Sequence, residues 1–215
     1  MPTTYYRVGY DVKVIKKKQS RLRGAERRLK LIEAAVEVFS KKGYENATMD
    51  EIAAQGFVTK PVLYDHFKSK EAIFVAAAES TRDDLLTRGQ RAIAKERTYS
   101  KRLQVAISTF FEFVEDQPGA ARFLMMSSKP PAPVADICRQ LQAQATMGIA
   151  ALMRSNARAT SNSSSISEKQ WFLKAEFTKK GMHGLAEWWL DHPDVSRAEV
   201  EMVIFEVLSK GAGLR

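Results

Sequence analysis

The chain has one cysteine in 215 residues, Cys138, so no disulfide can close within it and a small stapled secreted fold is disfavoured. Long apolar runs are missing as well: none approaches the ~18 residues needed to cross a bilayer, and no apolar stretch behind the first methionine has the form of a signal peptide. The expectation is a cytoplasmic chain with no membrane partner. Catalytic signatures are absent: there is no GxxxxGK[ST] phosphate loop, no HExxH, no GxSxG and no glycine-rich dinucleotide turn. Cys138, His183 and His192 are too scattered in sequence to suggest zinc, and Cys138 beside Ile137 reads as a small packing residue. The chain is therefore read as a non-enzyme with no metal and no cofactor.

Acidic residues are scarce at the front. Residues 1–30 hold ten basic residues against Asp11 and Glu26, which accounts for eight of the nine net positive charges. A basic block at a terminus is an electrostatic footprint for nucleic acid, and solvated tails of the same kind also occur without a partner. Residues 5–15 alternate loosely as a strand would, but no second strand-like segment exists to pair with them. Residues 1–24 are read as a basic, mobile arm bounded by Gly24.

What remains is 45% hydrophobic overall, enough for one core or two small ones, and it scans throughout with helical period. Leu31, Ala34, Ala35, Val38 and Phe39 mark a first helix, with Gly43 where a left-handed cap belongs. Thr48 and Glu51 form a capping-box pattern that starts a short second helix near Met49 and runs to Gly56. Thr59 is the N-cap of a third helix, with Pro61 in its first turn, where the missing amide hydrogen costs nothing. Ser69 caps a fourth. Three of the seven prolines (Pro130, Pro131, Pro133) crowd into a loop, and residues 155–167 are a serine-rich connection. Longer helices lie near 134–154, 168–191 and 197–211. The fold expected is all-α, with a helix-turn-helix domain at 25–70 and a helical bundle at 71–215.

Two short helices joined by a tight turn, beside a supporting helix and a basic arm, form the pattern of a helix-turn-helix DNA reader. Such a unit lays its second helix in the major groove with the amino-terminal end inward. The residues placed to meet DNA are then Thr59, Lys60, Pro61 and Val62, with Tyr64, His66, Lys70 and Thr48 placed to meet phosphates and Arg21 and Arg23 reaching from the arm. Taken singly, Tyr64 reads as an aromatic sealing a small core, His66 as a surface histidine, and Lys60 and Lys70 as solvated charges.

As a set, residues 31–74 resemble the amino-terminal domain of the tetracycline-repressor (TetR) family. The likeness is carried by Leu31, Ile32, Ala34, Ala35, Phe39 and Gly43, by Thr48, Ile52 and Ala53, by Val58, Thr59, Lys60, Leu63, Tyr64, His66 and Phe67, and by the run Lys68 to Glu71 into Ile73 and Phe74. The resemblance implies a homodimeric, ligand-responsive transcriptional regulator, usually a repressor on a palindromic operator, with phosphates held at positions matching Thr48, Thr59, Tyr64, His66 and Lys70. Where the family has alanine then glycine in the turn, this chain has Gly56 then Phe57, which puts the left-handed residue on Gly56 one step early or on phenylalanine, whose ring burial would offset the strain.

The second half carries only physical hints. Aromatics and thioethers commonly line apolar cavities, which nominates Phe110, Phe113, Phe123, Met125, Met126 and Met147 for a small-molecule effector of apolar character, against ordinary core packing for each. Gly181, Gly184, Leu185, Trp188 and Trp189 near the end of the chain suit a symmetric dimer interface, against both tryptophans being intramolecular core. The competing functional class is a sequence-indifferent architectural nucleic-acid binder that works through the arm alone. Deleting residues 1–24 separates the two, since a regulator keeps its operator preference and a coating protein loses nearly all binding.

Overall fold

A computed structural model describes residues 12–126, 132–157 and 166–211, with side chains from Gly24 onward. Among them are nine α-helices, one 3-10 turn at Ala132–Val134 and no strand: α1 (Val12–Asn46), α2 (Met49–Gln55), α3 (Lys60–His66), α4 (Lys70–Ile93), α5 (Tyr99–Asp116), α6 (Pro118–Met126), α7 (Ala135–Ala157), α8 (Glu168–Trp189) and α9 (Arg197–Gly211). None of these is long and apolar enough to cross a membrane. The first helix begins at Val12 instead of after Gly24, so residues 12–24 continue α1 where an arm was expected. The expected loop at Pro130 and Pro131 and most of the serine-rich connection lie outside the described residues.

Two apolar clusters organise these helices. The first unites α1 to α4 around Leu31, Phe39, Ile52, Leu63, Ile73 and Phe74, and it takes in Phe123 from α6 and Cys138 from α7. The second joins Ile107, Phe111 and Val114 of α5 to Leu124 and Met125 of α6, Ala186 and Trp189 of α8, and Val200 of α9. Consecutive residues of α6 thus serve different cores. Helix α4 is shared as well: Ile73, Phe74 and Ala76 to Ala78 pack into the first cluster, while Leu85 packs against the second.

The breaks between the short helices follow their local chemistry. Gly43 interrupts α1 at φ 73° and ψ 171°, a region open to glycine and not the left-handed cap expected, and the chain resumes one helical turn that carries Tyr44 into the core. The Thr48 capping box is present, with the threonine oxygen accepting from Glu51 N and Glu51 accepting from Thr48 N. Ser69 caps α4 through Ala72 N. In the α2–α3 turn, Gly56 has an ordinary φ of −82° and is needed for space: a Cβ there would stand 2.9 Å from the Leu31 side chain.

The left-handed residue of that turn is Phe57, at φ 53°. Its ring is 96% exposed, so the burial expected to offset the strain does not occur. A phenylalanine in this region carries roughly 1 kcal/mol of strain that nothing within the chain returns. Asparagine tolerates the region without glycine's entropic cost. Phe57→Asn is therefore expected to raise unfolding free energy by about 0.5–1 kcal/mol, and Phe57→Ala, which keeps the strain, to change it little. Urea denaturation of the three proteins measures both.

Candidate functional site

Helix α3 is anchored at one position and open elsewhere. Leu63 is fully buried, and Phe67, which caps the helix with its amide on Leu63 O, is buried beneath the Arg28 guanidinium at 4.6 Å. With that side fixed, Thr59, Lys60, Pro61, Tyr64 and Asp65 are exposed, and Val62 and His66 are half-buried. The leading end of α3 is thus presented to solvent, and its Thr59 hydroxyl makes no cap hydrogen bond. Thr48, at the start of α2, is exposed too; its oxygen accepts from the helix, which leaves the hydroxyl proton to point outward. Lys60 Nζ meets Asp50 at 2.9 Å across the two helices, an exposed pair that a stronger anion can exchange at small cost.

Lys70 has a different task from the phosphate contact expected of it. Its ammonium donates to the carbonyl oxygens of Tyr44 (2.9 Å), Glu45 (3.3 Å) and Ala47 (3.1 Å) and lies 4.5 Å from the Tyr44 ring centre. Those carbonyls are the acceptors left over at the end of α1, and three bonds use all three ammonium protons. Beside this clasp the Tyr44 hydroxyl donates to Glu71 at 3.0 Å, and burial together with the Glu71 carboxylate pushes its pKa up to about 12. Lys70 fastens α1 to α4 and has no proton free for DNA. Arg21 and Arg23 fall in the backbone of α1, and their side chains lie outside the described residues.

A cavity of about 650 Å³ opens between α4, α5, α7 and α8, within the size range of small-molecule sites. Of the six residues nominated for it, only Phe110 lines it. Phe123 is buried in the first core with Phe39 and Phe74, Phe113 and Met125 belong to the second core, and Met147 is exposed. The Met126 side chain lies outside the described residues. The walls are instead aliphatic, from Leu85, Leu103, Ile107, Leu141, Ile149 and Met182 among others. Aromatic content was a poor guide because the phenylalanines are consumed in packing. Helix faces converging on a gap, such as Leu85, Leu86 and Gly89 of α4, carried the usable signal.

One wall of the cavity is polar. Lys179 is buried, donates to Thr146 Oγ1 at 2.6 Å and Gln142 O at 3.1 Å, and pairs with Glu176 at 2.9 Å. Burial raises the Glu176 carboxyl pKa, but the hydrogen bonds from Thr146 and Lys179 outweigh it and leave the pKa lowered. One turn along α8, His183 stacks on Phe110 with ring centres 5.7 Å apart. Burial and then the charges of Lys179 and Lys180 push its pKa down to about 4, so the imidazole is neutral near pH 7. The folded pKa lies below the unfolded one, so stability is complete above pH 6.5 and is lost as pH falls towards 4. Between pH 7 and pH 5 this group is expected to cost roughly 1–2 kcal/mol, and urea unfolding of His183→Phe should lack that part of the loss. Among the described residues no group of three or more His, Cys, Asp or Glu is placed to hold a metal ion.

The tryptophans at the end of α8 divide. Trp189 is buried, donates to Val195 O at 2.7 Å and meets Phe111 edge-on, so it is core of its own chain. Leu185 is half-buried against the same core. Trp188 is exposed and stacks on His192 with ring centres 3.9 Å apart. Leu173, Phe177, Gly181, Gly184 and Trp188 follow one another at helical spacing on exposed positions of α8, with Phe177 73% exposed. Met202, Val203 and Val207 are exposed on α9. Sequence reasoning named Gly181, Gly184 and Trp188 of this face and missed the rest.

The fold and this exposed recognition helix define a helix-turn-helix protein with a helical carboxy-terminal domain that contains a cavity. Residues 31–77 match the family of bacterial regulatory proteins designated tetR. The HTH-type transcriptional activator FasR of Mycolicibacterium smegmatis is 39% identical over 105 residues, 49% of this chain and 48% of the relative. The chain thus spans about half the length of the curated relatives it matches. A TetR-like transcriptional regulator from Rhodococcus superposes with a TM-score of 0.69 over 88% of this chain and 97% of its own, at 20% identity. The Bacillus subtilis regulator FadR, solved in complex with stearoyl-CoA, superposes with a TM-score of 0.69 over 84% and 96%, at 17% identity. The chain belongs to the TetR family.

Proposed function

We propose that the chain is a ligand-responsive transcriptional regulator that binds a partly palindromic DNA operator as a homodimer and represses transcription from it. The observation that carries this reading is the exposed leading end of α3, with Thr59, Lys60 and Pro61 outward and Leu63 and Phe67 holding the helix from behind. In this reading Lys60 and Val62 meet base edges, while Thr48, Thr59, Tyr64 and His66 hold phosphates. Arg21 and Arg23 follow the DNA from the amino-terminal part of α1. The reading head is residues 25–70, and α4 is the strut that joins it to the effector domain.

Dimerisation is assigned to the apolar faces of α8 and α9, which would set two α3 helices about 34–36 Å apart, one turn of DNA. Phe177→Asp is expected to shift the protein to monomer in sedimentation velocity and to abolish high-affinity DNA binding. The effector belongs in the 650 Å³ cavity. Its aliphatic walls suit an apolar ligand, and the likeness to a regulator solved with stearoyl-CoA agrees with that character. Ligand and DNA are linked through the difference in ligand affinity between two head spacings, and about 1.4 kcal/mol of difference changes operator affinity tenfold.

The direct test is selection of binding sites from random duplexes, followed by gel retardation and a promoter-reporter assay. A half-site repeated with dyad symmetry, and reporter output that falls when the protein is present, are the expected results. Recovery of no preferred sequence would overturn operator recognition. Reporter output that rises would make the protein an activator, as the M. smegmatis relative is named.

A further inference from the structure

Within the cavity, His183 presents a buried polar atom that the fold does not use. Its Nδ1 is shielded from solvent and has no hydrogen-bond partner among the described residues, although nearly all buried polar atoms in folded chains are paired. The ring is not free to turn away, since it lies parallel to Phe110, which lines the same cavity. The cations around the cavity are already engaged. Lys179 is tied to Glu176, Thr146 and Gln142, Arg82 is held by Asp83 and by Gln144, and Arg102 Nε donates to Glu96 O. A carboxylate entering here would have to break a pair or stay unpaired in an apolar enclosure, and either is costly. A neutral oxygen meets no such penalty, because a neutral imidazole can donate to it or accept from it.

We infer that the cavity takes an uncharged, chain-like apolar molecule whose hydrogen-bonding oxygen, a carbonyl or a hydroxyl, is held by His183 Nδ1. This rests on reading the cavity as the effector site, and it names the residue that selects the ligand's polar group. His183 then discriminates among ligands of equal chain length, while the aliphatic walls supply affinity without regard to the head.

The test is isothermal titration of the full chain with three twelve-carbon probes: dodecan-1-ol, dodecanoate and 1-chlorododecane. Dodecan-1-ol is expected to bind at least tenfold more tightly than either of the others. His183→Phe keeps the stack on Phe110 and is expected to melt no lower than the parent. It should lose that tenfold preference while binding 1-chlorododecane unchanged, and His183→Gln should restore part of it. Dodecanoate binding as tightly as the alcohol, an unaltered preference in His183→Phe, or failure of all three probes to bind would each overturn the inference. Ala145→Trp, which fills the cavity, separates the underlying reading. If it leaves probe binding intact, the cavity is not the site and both fail. If the probes bind as expected but operator affinity does not respond, the effector reading fails and the role of His183 stands.

Discussion

Phe74→Ala is expected to lower the unfolding free energy by about 3–5 kcal/mol, the largest stability loss predicted for this chain. Phe74 is fully buried, and its ring meets Phe39 and Tyr44 of α1 at 5.1 Å and Phe123 of α6 at 5.2 Å, each edge-on. Three helices therefore converge on one side chain. Removing it opens a cavity that cannot collapse, because Lys70 pins the end of α1 to the start of α4 a single turn away. The loss should appear in urea unfolding by circular dichroism as a lower midpoint. DNA affinity should fall with the folded fraction and recover where ligand or low temperature restores folding. An equal loss for exposed Phe172→Ala would mean that the aromatic cluster is not what joins the head to the rest.

The reading head was legible in sequence because its parts are local. A capping box is four residues long, and the Thr48–Glu51 pattern and the Ser69 cap say in one dimension what the structure does in three. Helix placement in the second half was legible for the same reason, since the stripe Ile107, Phe110, Phe111, Val114 is periodic whatever it packs against. Destinations were not legible. Phe123 and Leu124 are neighbours in sequence, yet one enters the head core and the other the cavity wall, which only the packing of α6 decides. Lys70 looked like a cation for phosphate because its carbonyl partners lie 23 to 26 residues upstream. Trp188 and Trp189 are likewise adjacent, and only the position of Val195 O assigns the second to the core. His183 could not be found from its neighbours in sequence, because what marks it is a partner that is missing in space.

Lys60→Ala is expected to weaken binding to the selected operator by about 1–3 kcal/mol, a factor of roughly 5 to 150. The geometry makes the prediction sharper than a simple loss of charge. Lys60 is held by Asp50, which sits in the first turn of α2, two residues from Thr48 and so on the side that faces phosphates in the proposed complex. Both side chains are more than half exposed, and a pair of that kind contributes about 0–1 kcal/mol, so Lys60 can leave Asp50 for guanine acceptors at little cost. Asp50→Asn should then strengthen binding, by freeing the lysine and by removing a negative charge beside the backbone. In the double variant the part of the gain that acts through Lys60 disappears and the backbone part remains. Tyr64→Phe removes one hydroxyl and should cost about 1 kcal/mol. Salt titrations distinguish the roles: removing a cation that neutralises a phosphate lowers the slope of log K against log salt by about 1, whereas removing a group that reads a base edge leaves the slope and relaxes the sequence preference. If Lys60→Ala and Asp50→Asn both bind as the parent does at every salt concentration, the leading end of α3 is not in the groove, and the protein reads DNA with some other surface.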